Sequence, residues 1–113
     1  ILIVPAQFGL RYRGKSVRRG REIYSADEFG LSSFATGSML LTHPERLARW
    51  DQLHVDCAGD EFSEAADGLF PLAPDFLYDD REVEFNAHRV DNACLQFGAA
   101  SAFLPQYPRG LKV

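Results

Sequence analysis

No apolar run in this chain approaches the roughly 20 residues that a membrane-crossing helix requires, so no membrane partner is expected. Residues 1–4 are too short for the apolar region of a signal peptide, and nothing after them resembles a cleavage site. The chain does not open on Met, which leaves a processed or partial start open. Cysteine is scarce: Cys57 and Cys94 are the only two, too few for a disulfide framework. Two reduced, buried thiols in a cytoplasmic protein are expected, with a single Cys57–Cys94 bridge as the alternative. G-x-G-x-x-G does not occur, which excludes the glycine fingerprint of dinucleotide-binding folds. No Cys/His spacing fits a zinc site, no segment has the EF-hand pattern, and no Ser lies in a nucleophile elbow. No cofactor is implied, and whether the chain is an enzyme is left undecided.

Acids are missing from the first 21 positions, which hold Arg11, Arg13, Lys15, Arg18, Arg19 and Arg21. Residues 22–91 carry all 16 acids against four arginines. Six cations around Tyr12 have the chemistry to meet phosphates or another anion, but the acidic remainder of the chain would repel a nucleic acid. A basic segment docked on the protein's own acidic surface, on a second copy or on another protein fits the charge pattern better. A plain solvated loop is the remaining alternative.

What is present specifies an α+β fold. At 113 residues the chain can bury a core without staples, and residues 1–113 are expected to form one domain. Ser25-Ala26-Asp27-Glu28 has capping-box spacing, and Leu31, Phe34, Ala35, Ser38 and Leu41 follow at helical intervals. The main helix is therefore predicted from Ser25 to about Leu41, weakened at Gly30 and Gly37 and stopped before Pro44. Thr42-His43-Pro44-Glu45 repeats the cap and predicts a short second helix to about Asp51, with Leu47 and Trp50 as its apolar edge.

Strands are predicted at residues 1–4 and, by strict alternation, at 53–57. A hairpin is predicted over residues 76–85, turning at Asp79-Asp80, and further strands at 93–97 and 99–104, or one strand bulged at Gly98. In that hairpin register Asp75 faces Glu84, a like-charged pair that argues for another register or a nearby cation. The basic run is read as a loop or ragged edge strand, residues 86–92 as a loop and 107–113 as a tail. The expected architecture is one main helix and a short second helix packed on one face of a mostly antiparallel sheet of about four to six strands.

Three groups of residues are candidates for chemistry or binding. His54 and Asp56 lie two apart on one strand face, where a carboxylate can orient an imidazole as general-base catalysis requires. No nucleophile or oxyanion site accompanies them, and a half-exposed polar strand face explains the same residues. Asp56, Asp60 and Glu61 offer oxygen ligands to a hard cation, at a spacing that matches no known loop. Trp50, Phe76 and Tyr78, with Phe62, Phe70 and Phe85, have the bulk to line a small-molecule pocket, or simply to fill the core. The function these observations favour is a binding module that acts as a homodimer or with another protein, its association weakening with salt. The alternatives are a small-molecule-binding protein or small enzyme near His54 and Asp56, and anion or nucleic-acid binding through residues 11–21.

Overall fold

Two helices and two sheets, in a computed structural model that describes residues 3–63, 66 and 68–105, make this an α+β fold. The three-stranded sheet has the order β1 (Ala6–Gln7), β7 (Ser101–Phe103), β2 (Glu28–Gly30), all antiparallel. The four-stranded sheet has the order β5 (Glu82–Arg89), β4 (Leu72–Asp79), β3 (His54–Asp56), β6 (Phe97–Ala99), with only the β3–β6 pair parallel. Between β6 and β7 stands Ala100 alone, so one short run of chain passes from the larger sheet into the smaller. Ala99, Ala100, Ser101 and Ala102 along that run are all fully buried.

The helices lie on opposite faces of the larger sheet. Helix α1 (Val17–Ile23) buries Val17 against Ala73 and Ala99 on one face. On the other face, Ala35 and Met39 of helix α2 (Ser33–Thr42) pack around Leu31 and Val55, and Gly37 lies under the ring of Phe76. A Cβ at position 37 would stand 3.3 Å from the Phe76 ring, so glycine lets this helix settle close to the sheet.

Several expected elements are replaced, each for a local reason. The predicted main helix begins eight residues late. Its expected capping contact does form, Ser25 N–H donating to Glu28 Oε1 at 3.0 Å, but it closes a turn and the chain then extends as β2. The working cap is Ser32, whose hydroxyl accepts from Ala35 N–H. The basic run is no loop: residues 10–12 form a 3-10 turn, and Ser16 caps α1 by accepting from Arg19 N–H at 3.0 Å. The second helix shortens to a 3-10 turn, Pro44–Leu47, that buries Leu47 and leaves Trp50 exposed.

The alternating strand at residues 53–57 is present as β3, but both Val55 and Asp56 are buried, because helices cover both faces. Residues 86–89 are not a loop; they complete β5. The hairpin turns one residue later than expected, at Asp80 and Arg81 with φ of 46° and 71°. Positive φ at both positions is the geometry that follows the right-handed strand twist. The shift removes the like-charged pair: Asp75 faces Asn86, and Leu77 faces Glu84. Residues 93–96, expected as a strand, are turn and coil; β6 begins only at Phe97 and runs through Gly98, and the strand expected at 99–104 is β7 in the other sheet. Of the strand expected at residues 1–4, Ile1 and Leu2 lie outside the described residues and Ile3 is exposed. The tail at 107–113 also lies outside them.

The phenylalanines do not make the core. None of the nine is among the buried residues, which are Tyr12, Val17, Leu31, Leu40, Leu47, Val55, Val90 and small side chains. Five of them, Phe29, Phe34, Phe62, Phe70 and Phe85, are exposed.

Candidate functional site

Two features stand out, one on each face of the larger sheet. The first is apolar. Phe76 and Tyr78 of β4 and Val83 and Phe85 of β5 point to the α2 side, with the Phe76 and Phe85 ring centroids 5.0 Å apart. Helix α2 adds a stripe at i, i+3 and i+7 made of Phe34, Gly37 and Leu41. Phe34 and Leu41 are each 85% exposed, and Phe85 is 59% exposed. Between helix and strands runs a groove of about 570 Å³, floored by Gly37, Leu40, Leu47 and Phe76. These exposed apolar side chains lie together on one surface of the sheet and helix. Strand β5 forms the edge beside the groove. It is eight residues long, contains no proline, and pairs only with β4 among the described residues.

The second feature is polar and buried. Asp56 of β3 and Asp75 of β4 are directly opposed in register, and His88 of β5 lies diagonally across on the same face. Both carboxylates are 1% exposed. His88 Nδ1 is 2.6 Å from Asp75 Oδ2, and Nε2 is 3.2 Å from Asp56 Oδ1. A carboxylate only accepts, so Nδ1 carries the proton and Asp75 fixes the ring. The Asp56 contact is not aligned as a hydrogen bond; Asp56 Oδ1 and Asp75 Oδ1 are both buried without a hydrogen-bond partner. Burial pushes the Asp56 carboxyl up to about 7, against the lowering effect of His88. The hydrogen bond to Asp75 raises His88 above its ordinary value, against burial. Above the cluster opens a pocket of about 240 Å³ lined by Asp75, His88, Asn86, Asn92, Cys94 and Phe97.

Against family models, curated proteins and solved structures, the chain has no match. Its function must therefore be argued from these surfaces.

The sequence candidates are redistributed. Asp56 does meet an imidazole, but that of His88 and not of His54. His54 packs edge-on against Phe97 at 5.0 Å, and both its ring nitrogens are buried without a hydrogen-bond partner. Asp60 and Glu61 do not join Asp56: Asp60 accepts from Ser33 N–H at the start of α2, and Glu61 lies 3.8 Å from Arg21. The acid–imidazole group that does form among the described residues is Asp56, Asp75 and His88. Phe76 and Tyr78 share the apolar groove, whereas Trp50 lies at a separate cleft beside Arg13 and Leu95. Four of the six cations of the basic segment are engaged with their own chain, Arg19 through Glu22 at 3.2 Å. Arg11 reaches Glu28 and Tyr12, Arg13 donates to Leu95 O, and Arg21 donates to the carbonyls of Ala58 and Asp60. Lys15, Arg18 and Arg19 are exposed. Asp75 and His88 were missed because nothing local marks them. The one signal was the Asp75–Glu84 clash, which already pointed to a wrong hairpin register.

Both cysteines are free. Burial pushes the Cys57 thiol up to about 12, while Cys94 is half-buried at the pocket wall. A native thiol assay with Ellman's reagent at pH 8 is expected to count one fast thiol per chain and the second only in denaturant. Cys94→Ser should remove the fast one. Two equally fast thiols would contradict the burial of Cys57.

Proposed function

We propose that the protein is a binding module that acts as a homodimer, joined along the β5 edges of two copies and the apolar surface beside them. What carries this reading is the conjunction at β5 of a long unpaired edge with exposed Val83 and Phe85. Native proteins blunt such an edge unless something pairs with it. An antiparallel pair of β5 strands about a twofold axis normal to the sheet keeps like faces together. Centred on Phe85, it sets Val83 opposite Ala87 of the second copy and makes one apolar band. Hydrogen bonds along the strand and burial of that band supply the attraction, in place of the charge segregation the sequence suggested. Salt should therefore leave association unchanged or strengthen it, the reverse of the sequence expectation. The free thiols support a reducing, cytoplasmic setting.

Sedimentation equilibrium across protein concentrations and from low to 1 M salt tests this. A dimer that persists at high salt is expected, with Phe85→Glu raising its dissociation constant at least about tenfold, the loss of one hot-spot side chain. Phe34→Glu, at the far end of the α2 stripe, should leave it unchanged. A monomer at every concentration, or a Phe85→Glu dimer of unaltered affinity, overturns the proposal.

A further inference from the structure

The geometry points to a divalent transition-metal site on the opposite face of the sheet: we propose that His88 and Asp56, with Asp75 holding the imidazole, bind one first-row ion such as Mn²⁺, Fe²⁺ or Zn²⁺. Four observations lead there. First, the three side chains come from three adjacent strands, β3, β4 and β5, so the sheet itself holds them at fixed spacing, with all three potential ligand atoms within 4.8 Å of one another. Second, His88 Nδ1–H donates to Asp75 Oδ2 at 2.6 Å. This is the arrangement by which a carboxylate fixes the tautomer of a metal-binding histidine and leaves the Nε2 lone pair free.

Third, Nε2 stands 3.2 Å from Asp56 Oδ1, in a contact that is no hydrogen bond. With a proton on Nε2 this is an ion pair, and an ion that displaces the proton takes its place between the two atoms. Two ligand atoms each about 2.1 Å from one ion, at an angle of about 100°, lie about 3.2 Å apart, so the separation suits a shared ion. Fourth, Asp56 Oδ1 and Asp75 Oδ1 are buried acceptors with no partner in residues that are 99% buried. Leaving such atoms unpaired is costly; an ion on His88 Nε2 answers Asp56 Oδ1 directly, and a water on that ion can answer Asp75 Oδ1.

The imidazole selects the class of ion. Calcium takes six to eight oxygens and magnesium an octahedron mostly of water and oxygen, whereas an imidazole nitrogen beside a carboxylate suits manganese, iron or zinc. The pocket of about 240 Å³ over Asp75 and His88 gives the ion a route in and leaves space for water at its open positions. Nothing here depends on the β5 edge pairing, since the two features face opposite ways.

The test is calorimetric titration of chelator-treated full-length protein with MnCl₂ and with ZnCl₂. One saturable site per chain is expected for at least one ion, with proton release that grows as pH falls. His88→Gln and Asp56→Asn should weaken it at least about 100-fold, and Asp75→Asn, which frees the imidazole to turn, about 10- to 100-fold. The double variant Cys57→Ser/Cys94→Ser should bind as the native chain does, which separates this site from adventitious thiolate binding. A measurement on the unsubstituted chain covers the case in which a variant fails to fold. In ¹⁵N-labelled protein, added ZnCl₂ should move the His88 ring nitrogens and leave those of His43 and His54 in place. No saturable uptake of either ion, uptake undiminished in His88→Gln and Asp56→Asn, or an unmoved His88 signal at saturation would each overturn the site.

Discussion

Glu28→Ala is expected to cost about 4 kcal/mol, the range found when one partner of a buried charged network is removed. The carboxylate of Glu28 is fully inaccessible, yet it gathers four groups from three parts of the chain. Ser101 O–H donates to Oε2 at 2.6 Å, Tyr12 O–H and Ser25 N–H donate to Oε1, and Arg11 Nε stands 3.5 Å from Oε2. Gln7 then ties the far side of Ser101 by donating to its hydroxyl at 2.9 Å. Removing the acceptor leaves the buried Tyr12 and Ser101 hydroxyls without it. Glu28→Gln keeps the shape but turns an amide N–H₂ toward hydrogen-bond donors and removes the charge that answers Arg11. It should still cost about 2 kcal/mol. Urea midpoints at pH 7 measure both, and a Glu28→Ala midpoint indistinguishable from wild type would refute this role.

The same residue sets a pH dependence. Burial pushes the Glu28 carboxyl up, but hydrogen bonds from Ser101, Tyr12 and Ser25, with Arg11 beside them, outweigh it and hold it below its ordinary value. A carboxyl lowered by folding gives stability that is complete above its unfolded-state value. That stability is lost as pH falls through the folded-state value. Wild-type protein should thus lose stability below about pH 4.5, and Glu28→Gln should show a shallower acid slope there.

Gly98→Ala is the second large effect. A methyl at Gly98 would collide with the Gly9 carbonyl, its carbon only 2.7 Å away, and crowd Leu53 Cδ2 at 3.1 Å. Neither backbone can retreat freely: β6 is paired with β3 through Gly98, and Gly9 N–H donates to the Gln7 side chain at 2.6 Å. Gly9 itself has φ of 121°, which an L side chain rarely adopts. Overpacking of this kind costs about 3 kcal/mol, which lowers the melting temperature of a domain this size by about 15 °C. Calorimetry on Gly98→Ala and Gly9→Ala should find both shifts. A Gly98→Ala protein that melts within a degree or two of wild type would show that the two backbones are not in contact.

How far the sequence specified this structure depends on the range of the forces involved. The fold class, β3, the hairpin and the proline-stopped helix follow from neighbours in the chain, so they could be read from it. The capping box at Ser25 shows where local signals mislead. Its hydrogen bond exists, but Glu28 is also claimed by Ser101, 73 residues away, and β2 pairs with β7. Those distant partners decide that the segment extends. Helix α1 went unread because its arginines were counted as charge and not as helix formers behind a Ser16 cap. Phenylalanine count suggested a bulky core, yet the close approach of backbones at Gly9 and Gly98 and along Ala99–Ala102 leaves room only for small side chains. Of the candidate metal site only Asp56 was legible. Asp75 and His88 meet because the turn falls at Asp80-Arg81; the expected turn would set Asp75 opposite Glu84 and leave His88 two residues further along the same face.

The passage of residues 97–103 through both sheets has a mechanical consequence. Neither sheet can be peeled off without tearing the strand that the other relies on. The amides of that run should open only when the entire molecule comes apart, so that it unravels in a single step instead of piece by piece.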